Sequence, residues 1–367
     1  MNRIILIGNG FDLAHGLKTS YNDFIDDFWD KKTDIFKRII RTRTIGVIQD
    51  NLLTRTPTGY RYNDNDIFAD IIDFDFYFPI DTITQGSSGY DEFHFVISQF
   101  REKNYASNLQ FNNHFLERIT LKKQLENWVD IEVEYYLALL DCVQDKNGDK
   151  IKHLNNDFLM VQTALEEYLK SQSEIKIVKS PVIDKNIRYA ISYDDTVTNK
   201  GKHTLDNFLY LNFNYTSLEN NYIYPANKVI HIHGEIGNSK NPIIFGYGDE
   251  IDEKYKLIEQ TNDNNYLENI KSIKYAKTRN YREMINFINS DVYEVFIMGH
   301  SCGISDRTLL NKIFEHKNCL SIKVFYYKNP DGTDNHNNIV KNISRNFNKK
   351  ELFRERIVAW VDSVPLS

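Results

Sequence analysis

Asn214 and His233 are the side chains of this chain best placed to do chemistry, because each closes an apolar run. An amide can orient a hydroxyl or a water by hydrogen bonds. A histidine near its ordinary pKa of about 6.5 can take the proton. If the two runs are neighbouring strands, both side chains face one crevice. That pairing suits cleavage of a C–N bond at a ribose, which needs a positioned nucleophile and a stabilised oxocarbenium-like centre. Taken singly, each also reads as a turn asparagine or a satisfied histidine before Gly234. Glu132 is a third candidate. It falls inside the apolar stripe formed by Leu125, Trp128, Val129, Tyr135, Tyr136 and Leu139 of a helical pattern. A carboxylate there needs a partner or carries a raised pKa, so it is either half of a structural ion pair or a site residue reaching over the crevice.

A second constellation starts the chain. Ile4 to Ile7 runs straight into Gly8-Asn9-Gly10-Phe11-Asp12, with His15 close behind. A buried strand ending in a Gly-x-Gly turn before a helix opens backbone N–H groups to a phosphate; the alternative is a tight turn with no ligand. A dinucleotide fingerprint for hydride transfer needs a third glycine where Leu13 stands. Its ribose-binding acid would fall near Asp26 or Asp27, inside the amphipathic pattern of Tyr21, Phe24, Ile25, Phe28 and Trp29. Dehydrogenase chemistry is therefore disfavoured. Gly299-His300-Ser301-Cys302-Gly303 matches the G-x-S-x-G pattern of a hydrolase nucleophile elbow. The acid and base that must follow are Asp331 and His336, five residues apart on one loop and helix start. The pattern reads better as a glycine-flanked polar loop in which Gly299 and Ser301 touch a nucleotide. Asp306 would repel phosphate and suits a ribose hydroxyl. His231 and His233 alternate along a strand, so they point to opposite faces. No Cys/His set has zinc spacing, and no metal is expected.

The elements that must position these residues are legible as apolar runs. Beyond the first, they are 208–213, 229–232, 242–245, 295–298 and 320–327. Continuous apolar strands with helical connections predict a parallel α/β sheet of Rossmann-like type flanked by helices. In such sheets ligands bind beyond the carboxyl ends of the strands. Residues 1–30 and 206–367 are assigned to this domain and 31–205 to a large, mostly helical insertion, with a turn at Gln85-Gly86-Ser87-Ser88-Gly89. The 367 residues carry 45 Lys and Arg against 51 Asp and Glu, a net charge of −6. That balance argues against a dedicated nucleic-acid or anionic-membrane binder. Three cysteines in no paired spacing fit a reducing cytoplasm. No run approaches the roughly 18 apolar residues of a membrane span.

Several of these segments together resemble the bacterial AbiH abortive-infection family. They are Ile5 to Phe24, Trp128-Val129-Asp130-Ile131-Glu132, Phe213-Asn214-Tyr215-Thr216, Ile232-His233-Gly234, and Gly299-His300-Ser301 through Asp306. That family is associated with defence against bacteriophage. The layout is similar, more distantly, to sirtuin-like proteins, which cleave or bind NAD. That likeness implies a sirtuin-like fold, Asn214 and His233 as the catalytic pair, and Gly8, Gly10 and Ser301 lining the dinucleotide site. Thr216 departs from the Asp found there in sirtuin-like strands. The expectation is hydrolysis of NAD or a related nucleotide, with Glu132 closing the site. Gly8, Asn9, Gly10, Phe11, Asp12, His15, Gly299, Ser301 and Asp306 would bind the nucleotide. A phage-derived activator and a second copy of the chain are the expected partners. A non-enzymatic nucleotide sensor and a serine hydrolase using Ser301 are the alternatives.

Overall fold

The computed structural model describes residues 1–31, 113–120, 122, 125, 127–145, 148–189, 204–223 and 227–367, and the backbone of four short strands between residues 53 and 111. The turn expected at Gln85 to Gly89 lies outside the described residues. The chain divides into two compact units. One holds residues 1–20, 128–155 and 166–367; the other holds 21–127 and 156–165. In the second unit the short strands pair antiparallel, Leu53–Thr56 with Gly59–Tyr62 and Phe68–Ala69 with Gln110–Phe111. There Asp157 caps the helix His114–Thr120 by accepting from the amides of His114 and Phe115.

The first unit is built on one sheet of six strands: β1 (Asn2–Ile7), β2 (Asn207–Asn212), β3 (Lys228–His231), β4 (Tyr293–Met298), β5 (Cys319–Tyr326) and β6 (Val364–Pro365). All neighbours are parallel, and the order is β6-β5-β4-β1-β2-β3. Strand order reverses between β1 and β4. All six residues of β1 are buried, because helices and loops cover both faces; Ile4–Ile7 are apolar to suit, and the buried Arg3 is paired with Glu294. Ile4 and Leu6 point into one core with Leu209, Leu211, Val295, Ile297, Ile322 and Val324. That face is covered by α5 (Asn280–Ser290), α6 (Arg307–Phe314) and α7 (His336–Arg345), through Met284, Ile288, Leu309, Leu310, Ile313, Phe314, Ile339 and Ile343. Ile5 and Ile7 point the other way, with Tyr210, Phe296, Met298 and Phe325. Their cover is Phe11 of the short α1 (Asn9–Leu13), Leu17, Tyr222, and Ile183 and Ile187 of α4 (Pro181–Ile187). Two long helices, α2 (Trp128–Asp145) and α3 (Gly148–Ser173), come from the stretch assigned to the insertion.

The run 242–245 is not a strand. Gly234 turns the chain at φ +85°, and residues 235–241 fold back as a loop. Ile243, Ile244 and Phe245 are buried as expected of a strand. Their backbone, however, meets the end of β3 through a single bond, Ile244 N to His233 O at 2.7 Å. A four-residue apolar run has the same period whether it is a strand or a buried loop. The two-residue edge strand β6 carries no sequence signal and exists through its pairing with β5 alone. Among the described residues, no helix is long and apolar enough to cross a membrane.

Candidate functional site

Beyond the carboxyl ends of β3 and β4 the chain buries a cluster of charge. Glu132 lies one turn into α2, His233 two residues past β3, His300 two past β4, and Asp306 in the turn before α6. Lys271, on the short helix Lys271–Lys274, joins them. Its ammonium Nζ is 2.8 Å from Oε1 and 2.9 Å from Oε2 of Glu132, and 2.8 Å from Oδ1 of Asp306. That same Oδ1 lies 3.2 Å from Nε2 of His233, while Oδ2 lies 3.6 Å from Nε2 of His300. Tyr275 places its hydroxyl 3.1 Å from His233 Nε2. The ring of Phe213 stands against both imidazoles, at 5.1 Å from His233 and 4.1 Å from His300. None of these charged or imidazole residues is more than 6% exposed.

The charges settle each other. Burial alone would raise Asp306, but Lys271 and His233 outweigh it and hold the carboxyl well below the usual carboxylate range. Burial alone would lower Lys271, yet Asp306 and Glu132 hold it above the ordinary lysine value. Burial, reinforced by Asp306 and only partly offset by Lys271, pushes Glu132 up to about 7. Burial and then Lys271 push His233 down to about 4 against the pull of Asp306. At neutral pH the set therefore holds an ammonium–carboxylate pair, a neutral imidazole, and one carboxyl poised to gain or lose a proton. Because ionised Asp306 can only accept, Nε2 of His233 carries the hydrogen and Nδ1 the lone pair. His300 Nδ1 accepts from Cys302 N at 3.0 Å, so its hydrogen too is on Nε2, facing Asp306.

Asn214 is engaged elsewhere. Its Nδ2 donates to Gly8 O at 3.0 Å and to Asp12 Oδ1 at 2.9 Å. Thr216 Oγ1 donates to Asp12 Oδ2 at 2.6 Å, which gives the residue at that position a definite task. Burial drives Asp12 up to about 7, with the Thr216 and Asn214 hydrogen bonds pulling the other way. The network continues through Asn212, which donates to Glu219 Oε2, and Glu219 Oε1 takes His231 Nε2 at 2.9 Å. The predicted pair is thus split between two sets: His233 joins Asp306, Lys271 and Glu132, whereas Asn214 joins Asp12, Gly8 and Thr216.

The opening glycines are needed for contact within the protein. A Cβ on Gly8 would lie 2.4 Å from Cα of His300, and one on Gly10 would lie 2.9 Å from Cα of Gly299. Gly299 itself has φ +79°, and a Cβ there would reach within 2.0 Å of Phe11 N. The two loops meet backbone to backbone where strand order reverses. The amides of the first loop are correspondingly occupied: Gly8 N by Met298 O, Gly10 N by Gly299 O and Phe11 N by Gly8 O, at 2.8–3.2 Å. Asn9 Oδ1 accepts from Thr19 Oγ1 at 2.6 Å. His15 is held between Phe11 O, 2.7 Å from Nδ1, and the hydroxyl of Tyr222. Ser301 is exposed, and its carbonyl takes Asn342 Nδ2 at 2.9 Å. Of the expected triad partners, Asp331 binds the amide and hydroxyl of Thr333, while the His336 ring packs edge-on against Tyr326 with its Nε2 buried and without a hydrogen bond.

Sequence reasoning singled out Glu132, His233 and Asp306 but missed Lys271, His300 and Tyr275. Nothing in Lys271-Ser272-Ile273-Lys274-Tyr275-Ala276-Lys277 separates the first lysine from the other two. The usable signal was Glu132 itself, since a carboxylate in an apolar stripe requires a cation. Among the described residues, no group of His, Cys, Asp and Glu is arranged to hold a metal ion.

Fold and site together define a parallel α/β protein with a buried acid–base cluster at the carboxyl ends of its strands. A family model described as bacteriophage abortive infection AbiH matches residues 4–328, and the chain belongs to that family. No curated protein and no solved structure matches it.

Proposed function

We propose that this chain is an effector of abortive infection that hydrolyses NAD or a related nucleotide at the N-glycosidic bond, with His233 as general base. The observation that carries this reading is the position of the His233–Asp306–Lys271–Glu132 cluster. Four ionisable groups are buried together at the strand ends, where α/β sheets bind ligands. The strand order, β3-β2-β1-β4-β5-β6 read from the other edge, is that of doubly wound dinucleotide-binding sheets. In this reading Asp306 orients His233, as the carboxylate of a catalytic dyad does. Neutral His233 takes the proton of a water through Nδ1, and Phe213 walls the site. The Gly8–Asp12 loop enters as part of the scaffold, because its Gly8, Gly10 and Phe11 amides are already bonded. Asn214 acts by holding Asp12 and Gly8 in place.

The test is release of nicotinamide from NAD by purified protein, alone and with phage lysate as activator. Release should occur, and His233→Ala and Asp306→Asn should abolish it with an unchanged circular dichroism spectrum. No release in either condition would overturn the enzymatic reading. The closed cluster, whose charged groups are bonded to one another, favours a second reading, a nucleotide sensor without turnover. That version predicts thermal stabilisation by nucleotide and no product.

A further inference from the structure

The cluster holds one charge more than a histidine–carboxylate dyad needs. A buried carboxylate next to two imidazoles would by itself draw a proton onto one of them, forming an imidazolium–carboxylate pair. Here the oxygen that His233 shares, Oδ1 of Asp306, also takes the ammonium of Lys271 at 2.8 Å, closer than the imidazole at 3.2 Å. The carboxylate is already neutralised by a cation, and that cation repels a second positive charge on the ring. We propose that Lys271 is a positioning residue whose charge keeps His233 neutral, with its lone pair on Nδ1, by sharing Oδ1 of Asp306 with it. This rests on His233 being the base of the site.

The groups that face His233 are Asp306, Lys271, His300 and Tyr275. Glu132 stands behind Lys271 and competes with Asp306 for the same ammonium. Of these, only Lys271 carries a fixed positive charge. Without it, Asp306 would face His233 and His300 as an uncompensated anion, and His233 Nε2 would be its nearest donor. Lys271 reaches the cluster through two carboxylates, so its head group has little freedom. It is 1% exposed, and a buried ammonium persists only where such partners exist.

The experiment reads the imidazole directly, with no need for turnover. In protein carrying ¹³C-histidine, the signal of His233 is the one missing from His233→Gln, and it is followed from pH 5 to 8.5. In the unaltered chain it should remain that of a neutral ring. In Lys271→Met it should titrate, with its midpoint raised by about 1–3 pH units. In Lys271→Arg, which keeps the charge, it should stay neutral. If Lys271→Met fails to fold, the double variant Lys271→Met/Glu132→Gln, which removes the stranded second carboxylate, is measured in its place with the same expected rise. A His233 signal that stays as in the unaltered chain when the charge is removed would overturn the proposal, as would an equal rise in Lys271→Arg. Nicotinamide release is scored separately, so a protein with no turnover and a shifted His233 titration would refute the hydrolase and leave the role of Lys271 standing.

Discussion

Asp12 is a carboxyl placed where its charge is costly, and replacing it by asparagine should make the protein more stable above neutral pH. The side chain is 1% exposed. It receives two hydrogen bonds, from Asn214 Nδ2 and Thr216 Oγ1. Those favour the carboxylate, but burial outweighs them and the group ionises only at about 7, against 3.8 for an unburied aspartate. The folded state therefore binds the proton more tightly than the unfolded state. The corresponding stability is fully present below about pH 4, declines as pH rises, and is gone above the folded pKa. Each pH unit between the unfolded and folded values is worth about 1.4 kcal/mol, which makes a total of about 4 kcal/mol. Between pH 5 and pH 8 about 3 kcal/mol of it should be lost. The amide of the Asp12→Asn variant would keep both contacts, with its oxygen facing Asn214 and its nitrogen donating to a Thr216 hydroxyl that turns its hydrogen away. It has nothing to titrate. Urea unfolding of both proteins at pH 5, 6, 7 and 8 supplies the check. Groups remote from Asp12 titrate alike in the two chains and cancel, so the advantage of Asp12→Asn should grow by about 3 kcal/mol across the series. A difference that stays constant with pH would mean that Thr216 and Asn214 keep Asp12 ionised throughout, and would refute the reasoning.

Two glycines with the same φ of +79° separate backbone strain from close approach. Gly16 has open space around it, whereas a Cβ on Gly299 would strike Phe11 N. Gly16→Ala should cost about 1 kcal/mol and Gly299→Ala about 3 kcal/mol or more, read from denaturation midpoints; equal losses would contradict the account of why the two loops need glycine. Asp331 is bonded to Thr333 and not to His336, and His336 Nε2 is buried without a partner, so the acid–base relay an activated Ser301 needs is missing and a fluorophosphonate probe should leave the protein unlabelled. Labelling that disappears in Ser301→Ala would reinstate the nucleophile elbow.

The sheet was readable because a strand covered on both faces must be largely apolar: 295–298 is apolar throughout, and 208–213, 229–232 and 320–327 are interrupted only by Asn212, by His231, and by Ser321 and Lys323. The same reasoning misread 242–245, since burial without a ladder partner leaves the same composition. Glu132 was readable as a residue in need of a partner; that the partner is Lys271 depends on a chain reversal far away in sequence, to which no local pattern refers. Gly8 and Gly10 were readable as positions of close approach. What approaches them is the backbone of Gly299 and His300, and a glycine responds in the same way to a phosphate and to a peptide unit.

Burial of charge does not by itself mark a site, and the sheet contains the counterexample. Arg3 and Glu294, side by side on β1 and β4, are both fully buried. The guanidinium gives Nε to Glu294 Oε1 at 2.9 Å, Nη1 to Ile187 O at 2.7 Å and Nη2 to Tyr189 O at 2.8 Å, and lies 3.9 Å over the ring of Phe296. Its partners apart from Glu294 are carbonyls and a ring that do not titrate, and arginine keeps its proton at any ordinary pH. Such a pair ties the end of α4 to the sheet and cannot change state. The Lys271 set differs on both counts. It stands beyond the strand ends, not in mid-sheet, and gathers two carboxylates and two imidazoles around one ammonium. Burial raises Glu132 against the pull of Lys271, and a neutral His233 has a lone pair that can accept a proton. Titratable groups gathered at a strand end, more than burial, are what mark the Lys271 set as the candidate site and the Arg3 pair as a staple.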